Sequence, residues 1–111
     1  MELDKTIREN LDGEYLTIHV ENFKEGVEYA AKKKLQQIHL IGGRAKNVIV
    51  DFKELNKLSE TLQDISFIQD IGNVINFESI YNLKEMRKIY IHDKQKFTFD
   101  VSRFTKLQHL G

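Results

Sequence analysis

A six-residue pattern of apolar residues recurs along this chain and constrains its fold more than any other feature. Each copy has apolar residues at its first, fourth and sixth positions, and the fourth is aliphatic. Successive copies begin 20, 27, 24 and 21 residues apart. A recurrence of this length indicates a solenoid, because each unit can bury its apolar side only against its neighbours. The copies span residues 15–20, 35–40, 62–67 and 86–91, and an incomplete fifth copy begins at residue 107.

The segments between the copies predict helices. In four of them an Asn or Asp precedes an apolar residue, and such side chains cap helices by accepting a backbone N–H of the first turn. Apolar residues then follow at spacings of three and four, so one face of each helix is apolar. A Glu three residues after two of the caps predicts a capping box. The caps are Asn22, Asp51, Asn76 and Asp100, and the boxes pair Asn22 with Glu25 and Asp51 with Glu54.

Short pieces rich in Val, Ile and Phe stand just before three of the caps, at residues 48–50, 74–75 and 97–99. These residue types are enriched in β-strands. We therefore expect the three pieces to form an extended second edge on the convex side of the stack.

A helix is also predicted ahead of the first copy. Leu3, Ile7 and Leu11 are spaced by four residues, which places them on one helical face. This spacing predicts a helix over residues 2 to 12 that covers the N-terminal end of the stack. The chain then divides into a capping helix, residues 1–13, and a repeat domain of about four and a half repeats, residues 14–111.

Composition excludes several classes of partner and site. Lys and Arg total 17 and Asp and Glu total 17, whereas binding to nucleic acid or to an anionic membrane requires a basic excess. The chain has no cysteine, so it can form neither a disulfide nor a thiolate zinc site. No apolar run approaches the length of a membrane span, and the first residues lack a secretory signal. We expect a cytoplasmic chain that binds neither nucleic acid nor membrane.

The chain resembles a bacterial leucine-rich repeat protein with an irregular, short repeat array. The resemblance rests on the hexads that begin at residues 35, 62 and 86, on the looser copy at residue 15, and on the apolar spacing of the linkers. It implies a right-handed α/β leucine-rich repeat solenoid. Such a fold has a curved parallel β-sheet, with helices or extended segments on its convex side and a macromolecular partner gripped by its concave face.

Two features depart from the family pattern. The repeat steps are uneven, and the family usually carries Asn or Cys three residues after the hexad, where the side chain connects successive turns. Without that ladder, the coil is expected to be irregular. The residues at these positions here are Phe23, Gly43, Asp70 and Lys94.

In such a fold, strand alternation points the third, fifth and seventh hexad positions out of the concave sheet. All four histidines of the chain would then lie on this face, and two isoleucines and a tyrosine would be exposed among them. Exposed apolar and aromatic groups clustered on one face are typical of contact surfaces. The predicted columns are Thr17, Gln37, Asp64, Lys88 and His109, then His19, His39, Ser66, Tyr90 and Gly111, and then Glu21, Ile41, Ile68 and His92.

We therefore predict a non-catalytic protein–protein interaction module that binds its partner through the concave sheet face. The resemblance also implies a concrete role, that of an immunity or inhibitor protein that occludes a partner enzyme. No catalytic residue, metal ligand or cofactor is assigned. The predicted partner-binding residues are His19, His39, Ile41, Asp64, Ile68, Lys88, Tyr90 and His92.

Three alternatives remain open at this point. His19 and His39 on adjacent strands, with Asp64 one strand further, would suit a two-histidine, one-carboxylate metal site in a metal-dependent or small-molecule enzyme. The histidines could instead make partner binding depend on pH. The chain could also be a structural fragment of a longer repeat protein. In addition, the last predicted strand leaves an open sheet edge, which predicts self-association through the C-terminal edge strand.

Overall fold

The computed structural model describes residues 7–10, 13–42, 48–92, 95 and 97–111, with side chains from Tyr15 onward. Among these residues, no helix combines the length and the apolarity needed to cross a membrane. The strands of the main sheet are β1 (Ile7–Asn10), β2 (Gly13–His19), β3 (Gln37–Ile41), β5 (Asp64–Phe67), β7 (Lys88–Ile91) and β8 (His109–Leu110), and two shorter strands are β4 (Ile49–Asp51) and β6 (Asn73–Ile75).

The fold is mixed α/β and is built on a mostly parallel sheet. The main sheet has the order β1-β2-β3-β5-β7-β8. Strand β1 is antiparallel to β2, and each later strand is parallel to the one before it. Strands β4 and β6 form a separate parallel pair. Each parallel strand of the main sheet is therefore followed by a linking segment that returns the chain to the same end of the sheet.

The core lies between one face of this sheet and the helical segments that link the strands. The segments pack side by side, helix α1 (Phe23–Lys33) against the 3-10 helix Phe52–Leu58, and that helix against Phe77–Asn82. Alternate residues of each strand point into this core. The core-facing column that crosses the sheet in register consists of Leu16, Ile38, Ile65 and Ile89, all of them fully buried.

Phenylalanines at the starts of successive helical segments stack along the helical side of the core. The ring centroids of Phe23 and Phe52 are 6.1 Å apart, and those of Phe52 and Phe77 are 5.9 Å apart. Phe97 adds an edge-on contact to Phe52 at 6.0 Å. One aromatic ring for each turn of the chain thus fills the space that the short linking helices leave.

Helical segments begin after all four predicted cap residues, but only the side chains of Asp51 and Asp100 form cap hydrogen bonds, and those of Asn22 and Asn76 do not. Only the first linking segment is an α-helix. The others are the 3-10 helices Phe52–Leu58, Phe77–Asn82 and Val101–Arg103. Such short segments favour the tighter 3-10 winding, which advances further for each residue.

Neither predicted capping box forms. Asp51 caps its helix by accepting from the N–H of Lys53 at 2.9 Å, one position before the residue that a box would use. Asn22 makes no side-chain cap hydrogen bond. Glu54 instead forms an ion pair with Lys57 at 2.6 Å.

The predicted N-terminal helix over residues 2 to 12 is wrong where the structure describes it. Ile7–Asn10 is strand β1, which pairs with β2 from Ile7–Leu16 to Asn10–Gly13. Residues 1–6 and 11–12 lie outside the described part of the chain. A helix in this place would leave the N–H and C=O groups along the edge of β2 unpaired, whereas a strand satisfies them. Edge pairing therefore outweighs the helical spacing of the leucines and isoleucine.

The register predicted for the first hexad is wrong by two residues. Leu16, and not Ile18, lies opposite Ile38, so the first repeat step is 22 residues. Leu16 and Ile18 are both buried core residues, and alternation then turns Tyr15 away from the core. The hexad pattern missed this because it accepted Tyr15 as an inward apolar residue. The alignment of the later copies is confirmed by the pairing of Gln37 with Asp64, of Asp64 with Lys88 and of Lys88 with His109.

A backbone clamp repeats at the start of successive strands. The carbonyl oxygen of Gln36 accepts hydrogen bonds from the N–H groups of Gln63 and Asp64, at 2.8 and 3.0 Å. The carbonyls of Gln63 and Arg87 accept two N–H groups of the next repeat in the same way. The main chain therefore sets the register of each new strand at this position.

Two predictions about the opposite edge have different outcomes. The β-prone pieces around residues 49 and 74 do pair, as β4 and β6, whereas residues 97–99 form no strand. A side chain that connects successive turns is also present. It belongs to residue 95, one position after residue 94, where such a side chain was expected. The Gln95 side chain donates to the Gln69 carbonyl at 2.8 Å and accepts from the Ile71 N–H at 3.0 Å. Gln95 thus connects two successive turns of the chain.

Candidate functional site

The sheet face that points away from the core presents three columns of side chains, which we call the open face. Strand alternation assigns these residues, because their neighbours in sequence are the buried core residues. The first two columns are paired in register across β2, β3, β5 and β7, and the third continues past the ends of β5 and β7. The columns are Tyr15, Gln37, Asp64, Lys88 and His109, then Thr17, His39, Ser66 and Tyr90, and then His19, Ile41, Ile68 and His92.

Aromatic rings contact one another at two places on the open face. Tyr15 stacks on His39 with ring centroids 4.1 Å apart and planes inclined by 19°. Tyr90 contacts His109 at 5.0 Å and His92 at 6.5 Å. Such contacts place amphipathic rings against one another on the surface.

His39 is the most enclosed histidine of this group. It is half-buried beneath the Tyr15 ring and lies opposite Thr17 on one side and Ser66 on the other. Burial lowers the pKa of His39 below its ordinary value, and the charge of His92 lowers it further. Neutral imidazole is therefore favoured at the centre of the open face.

The two isoleucines of the open face are half-buried, and not fully exposed as the sequence predicted. Ile41 lies opposite His19 at the end of β3, and Ile68 follows β5 beside it, where its N–H donates to the Leu40 carbonyl at 2.9 Å. Gly42 is required there, because a Cβ atom on this residue would collide with the Asp70 carbonyl oxygen.

A polar groove of about 270 Å³ lies at the amino ends of the strands, beside the first column of the open face. The Arg87 side chain is half-buried there, and its Nε atom is buried without a hydrogen-bond partner. The residues that line the groove are Gln36, Gln37, Gln63, Asp64, Arg87, Lys88 and Gln108.

The predicted two-histidine, one-carboxylate arrangement is not present. His19 lies opposite Ile41 rather than opposite His39, because the register of β2 differs by two residues from the predicted one. Within the described ranges, no group of three or more His, Cys, Asp or Glu side chains is placed to hold a metal ion.

The structure places all eight predicted partner-binding residues on the open face or in continuation of its strands. His39, Ile41, Ile68 and Tyr90 lie near its centre, and His19 and His92 are exposed at one end. Asp64 and Lys88 lie beside the polar groove.

Two features of the candidate site were not predicted from the sequence. One is Tyr15, which was assigned to the core. The alternation of Tyr15, Thr17 and His19 with buried Leu16 and Ile18 carries the signal that could have found it. The other is the row of polar side chains at the second hexad position, which are those of residues 36, 63, 87 and 108. Strand alternation alone would have placed these side chains in the core.

Comparison with known proteins found no matching family model, no matching curated protein and no matching solved structure.

Proposed function

We propose that this chain is an irregular leucine-rich repeat solenoid that binds another protein through the open face of its sheet. The observation that carries this proposal is the group of half-buried aromatic and apolar side chains that crosses that face from β2 to β7. We call this group the central cluster: Tyr15, His39, Ile41, Ile68 and Tyr90.

Spacing on the two sides of the core supports the solenoid. Parallel strands lie about 4.8 Å apart, whereas the stacked rings of Phe23, Phe52 and Phe77 are 6.1 and 5.9 Å apart on the helical side. A wider spacing behind the sheet than within it favours a curve with the sheet on the inside. The open face would then be concave and would wrap around a convex partner.

The chemistry of the open face supports protein binding. Tyrosine is among the residues that contribute most to protein–protein affinity at the centre of an interface, and exposed apolar groups on one face are typical of contact surfaces. Charged and polar groups at the margin, such as Asp64, Lys88 and His92, match the polar rim of such interfaces. The stacked Tyr15 and His39 rings are already ordered, so less side-chain entropy is lost on binding.

The concrete form of this proposal is an immunity or inhibitor protein that occludes a partner enzyme. A broad, non-catalytic face suits this role, because inhibition by coverage needs area and complementary shape rather than reactive groups. Inhibition of the purified partner by equimolar chain would support it, and an unaffected partner activity would contradict it.

Two matched double variants test the binding face. Ile41→Glu with Ile68→Glu places charges in the central cluster, whereas Ile49→Glu with Ile75→Glu places the same charges on isoleucines that are 61% and 47% exposed outside the open face. Each variant and the wild type would serve as bait in lysate of the native host, after circular dichroism has shown that all three fold. We expect a protein that the wild type and the Ile49/Ile75 variant retain and that the Ile41/Ile68 variant loses.

Calorimetry with the purified partner then measures the effect. Two hot-spot losses of about 2 kcal/mol each would weaken binding at least a hundredfold. Equal affinity of all three proteins would place the interface elsewhere and would overturn the proposal.

A further inference from the structure

We propose that the polar groove receives a carboxylate side chain of the bound partner, with Arg87 as its principal contact. This inference rests on the proposed function and adds the chemistry of the partner: an Asp or Glu must protrude beside the partner surface that covers the central cluster.

Arg87 provides the first reason. Its Nε atom is buried and has no hydrogen-bond partner among the described residues. A buried donor without an acceptor costs free energy, and the cost is larger for a charged group. A guanidinium group presents its N–H donors in a plane that matches the two oxygens of a carboxylate. The Nε atom itself is closed to solvent, so an entering carboxylate would bind the terminal N–H groups of the guanidinium, on the half-buried side chain that lines the groove.

The neighbours of Arg87 in the groove provide the second reason. Gln63 and Gln108 occupy the position of Arg87 in the repeats before and after it. The Arg87 N–H donates to the Gln63 carbonyl, and the Gln108 N–H donates to the Arg87 carbonyl. All three side chains line the groove, and Lys88 lines it as well. Side-chain amides donate hydrogen bonds without adding charge, so they can orient a carboxylate that Arg87 and Lys88 attract.

The charge of the groove selects a carboxylate over a phosphate group. Arg87 and Lys88 contribute two positive charges, and the carboxylate of Asp64 lines the same groove. A dianionic phosphate would meet the Asp64 carboxylate in the groove, whereas a singly charged carboxylate meets less repulsion.

The position of the groove favours a protein side chain over a free small acid. It adjoins the first column of the open face and extends over the repeats of Gln36, Gln63, Arg87 and Gln108. A groove this open encloses a small molecule poorly, while a partner held by the central cluster could insert a side chain from above.

Nuclear magnetic resonance titration of the purified chain tests the assignment. The probe is a blocked hexaglutamate peptide, the matched control is blocked hexaglutamine, and further arms use acetate at equal carboxylate concentration and inorganic phosphate. We expect hexaglutamate alone to give saturable shifts of the Arg87 Nε–H resonance and of the Gln63 and Gln108 side-chain amides. Tighter binding of phosphate, or acetate binding as tight per carboxylate, would overturn the assignment.

Two variants locate the binding. Arg87→Gln removes the charge and is expected to weaken hexaglutamate binding at least tenfold, as the loss of a charged hydrogen bond predicts. Arg103→Gln is the control, since the Arg103 guanidinium lies on the Tyr81 ring at 4.2 Å and does not line the groove. Equal losses in both variants would show general charge attraction and would overturn the proposal.

The outcome separates this inference from the proposed function. If hexaglutamate shifts neither Arg87 nor the two glutamines, the carboxylate assignment fails. The central cluster would still be tested by the isoleucine variants, which leave the groove unchanged. If the groove binds hexaglutamate but the isoleucine variants lose no partner, the proposed function fails while the groove assignment stands.

Discussion

The first and the last repeats of this chain carry the same kind of pattern and have very different environments. The first has the seven-residue strand β2 and the eleven-residue helix α1, whose residues Val27 and Ala30 are fully buried. At the other end, the two-residue strand β8 of the last repeat follows a three-residue 3-10 helix with no buried residue. Leu110 is 50% exposed and Val101 is 40% exposed. Strand β2 is flanked by β1 and by β3, whereas among the described strands β8 pairs with β7 alone. The apolar residues at the C-terminal end therefore have fewer neighbours to bury them.

The largest expected effect compares two leucines of one core-facing column. Leu16 stands at the start of this column and is fully buried, and Leu110 stands at its end. We expect Leu16→Ala to lower the free energy of unfolding by about 2–5 kcal/mol, because it leaves a cavity. Leu110→Ala should cost less than about 1 kcal/mol, since it removes a side chain that is already half in water.

Urea denaturation of the two leucine variants measures this difference. Equal losses would mean that the last repeat is covered in solution, for example by a second copy at the β8 edge. A Leu110 loss that grows with protein concentration would identify that second copy.

A second contrast concerns glycines at the two ends. A Cβ atom at Gly26 in α1 would lie 2.7 Å from Cγ2 of Ile18, whereas one at Gly111 would meet the end of the exposed His109 side chain. Gly→Ala normally stabilises a helix by about 1 kcal/mol. We expect Gly26→Ala to destabilise by about 1–3 kcal/mol instead, because the helix must move away from β2. Gly111→Ala should have little effect, since His109 can rotate.

Thermal unfolding of the two glycine variants gives the sign directly. A stabilised Gly26→Ala variant would show that α1 packs on β2 less closely than the structure has it.

A third contrast concerns glutamines that differ in burial. Gln95 is buried and holds two backbone groups of the preceding turn, whereas Gln108 in the last repeat is exposed. Gln95→Ala should cost about 1–3 kcal/mol, because the Ile71 N–H loses its acceptor in a buried place. Gln108→Ala should change stability by less than about 0.5 kcal/mol. Chemical denaturation of both variants checks the difference, and equal values would contradict the ladder role of Gln95.

The smallest expected effect is the pH dependence that His39 contributes. Burial and His92 hold the pKa of His39 below its ordinary value, which is about 6.5. The folded state therefore favours the neutral ring. The stabilisation from His39 is complete above a pH of about 6.5 and is lost as the pH falls through the lower pKa of the folded state. We expect His39→Gln to lose less stability than the wild type between pH 7.5 and 5. Parallel curves for both proteins would contradict this.

Much of the fold follows from the sequence because burial leaves a periodic trace. The hexads at residues 35, 62 and 86 gave the right register, since aliphatic residues at their fourth positions face the core. Cap residues such as Asp51 marked the helix starts, because their side chains bond locally. Strand β1 was missed, because the four-residue spacing of Leu3, Ile7 and Leu11 fits a helix and was given more weight than pairing with the adjacent strand β2.

The candidate site was predicted less completely than the core. His39, Tyr90 and the isoleucines were assigned to one face by alternation, which is a local property. The two-residue error in the register of β2 placed Tyr15 in the core instead of on the open face. It also predicted that His19 lies opposite His39, whereas His19 lies opposite Ile41. The Arg87 groove could not be predicted, because its side chains come together only when four successive strands are aligned.

The backbone clamp has a consequence for how this molecule could acquire new specificities. Residues 36, 63 and 87 hold the next strand through their carbonyl oxygens, which every amino acid possesses. Their side chains are not part of the clamp and are turned to the groove. Exchange of Gln36, Gln63 or Arg87 should therefore alter what is recognised without disturbing the alignment of the strands. Single substitutions at these positions, in evolution or by design, can therefore change the surface of the groove while the strand register stays the same.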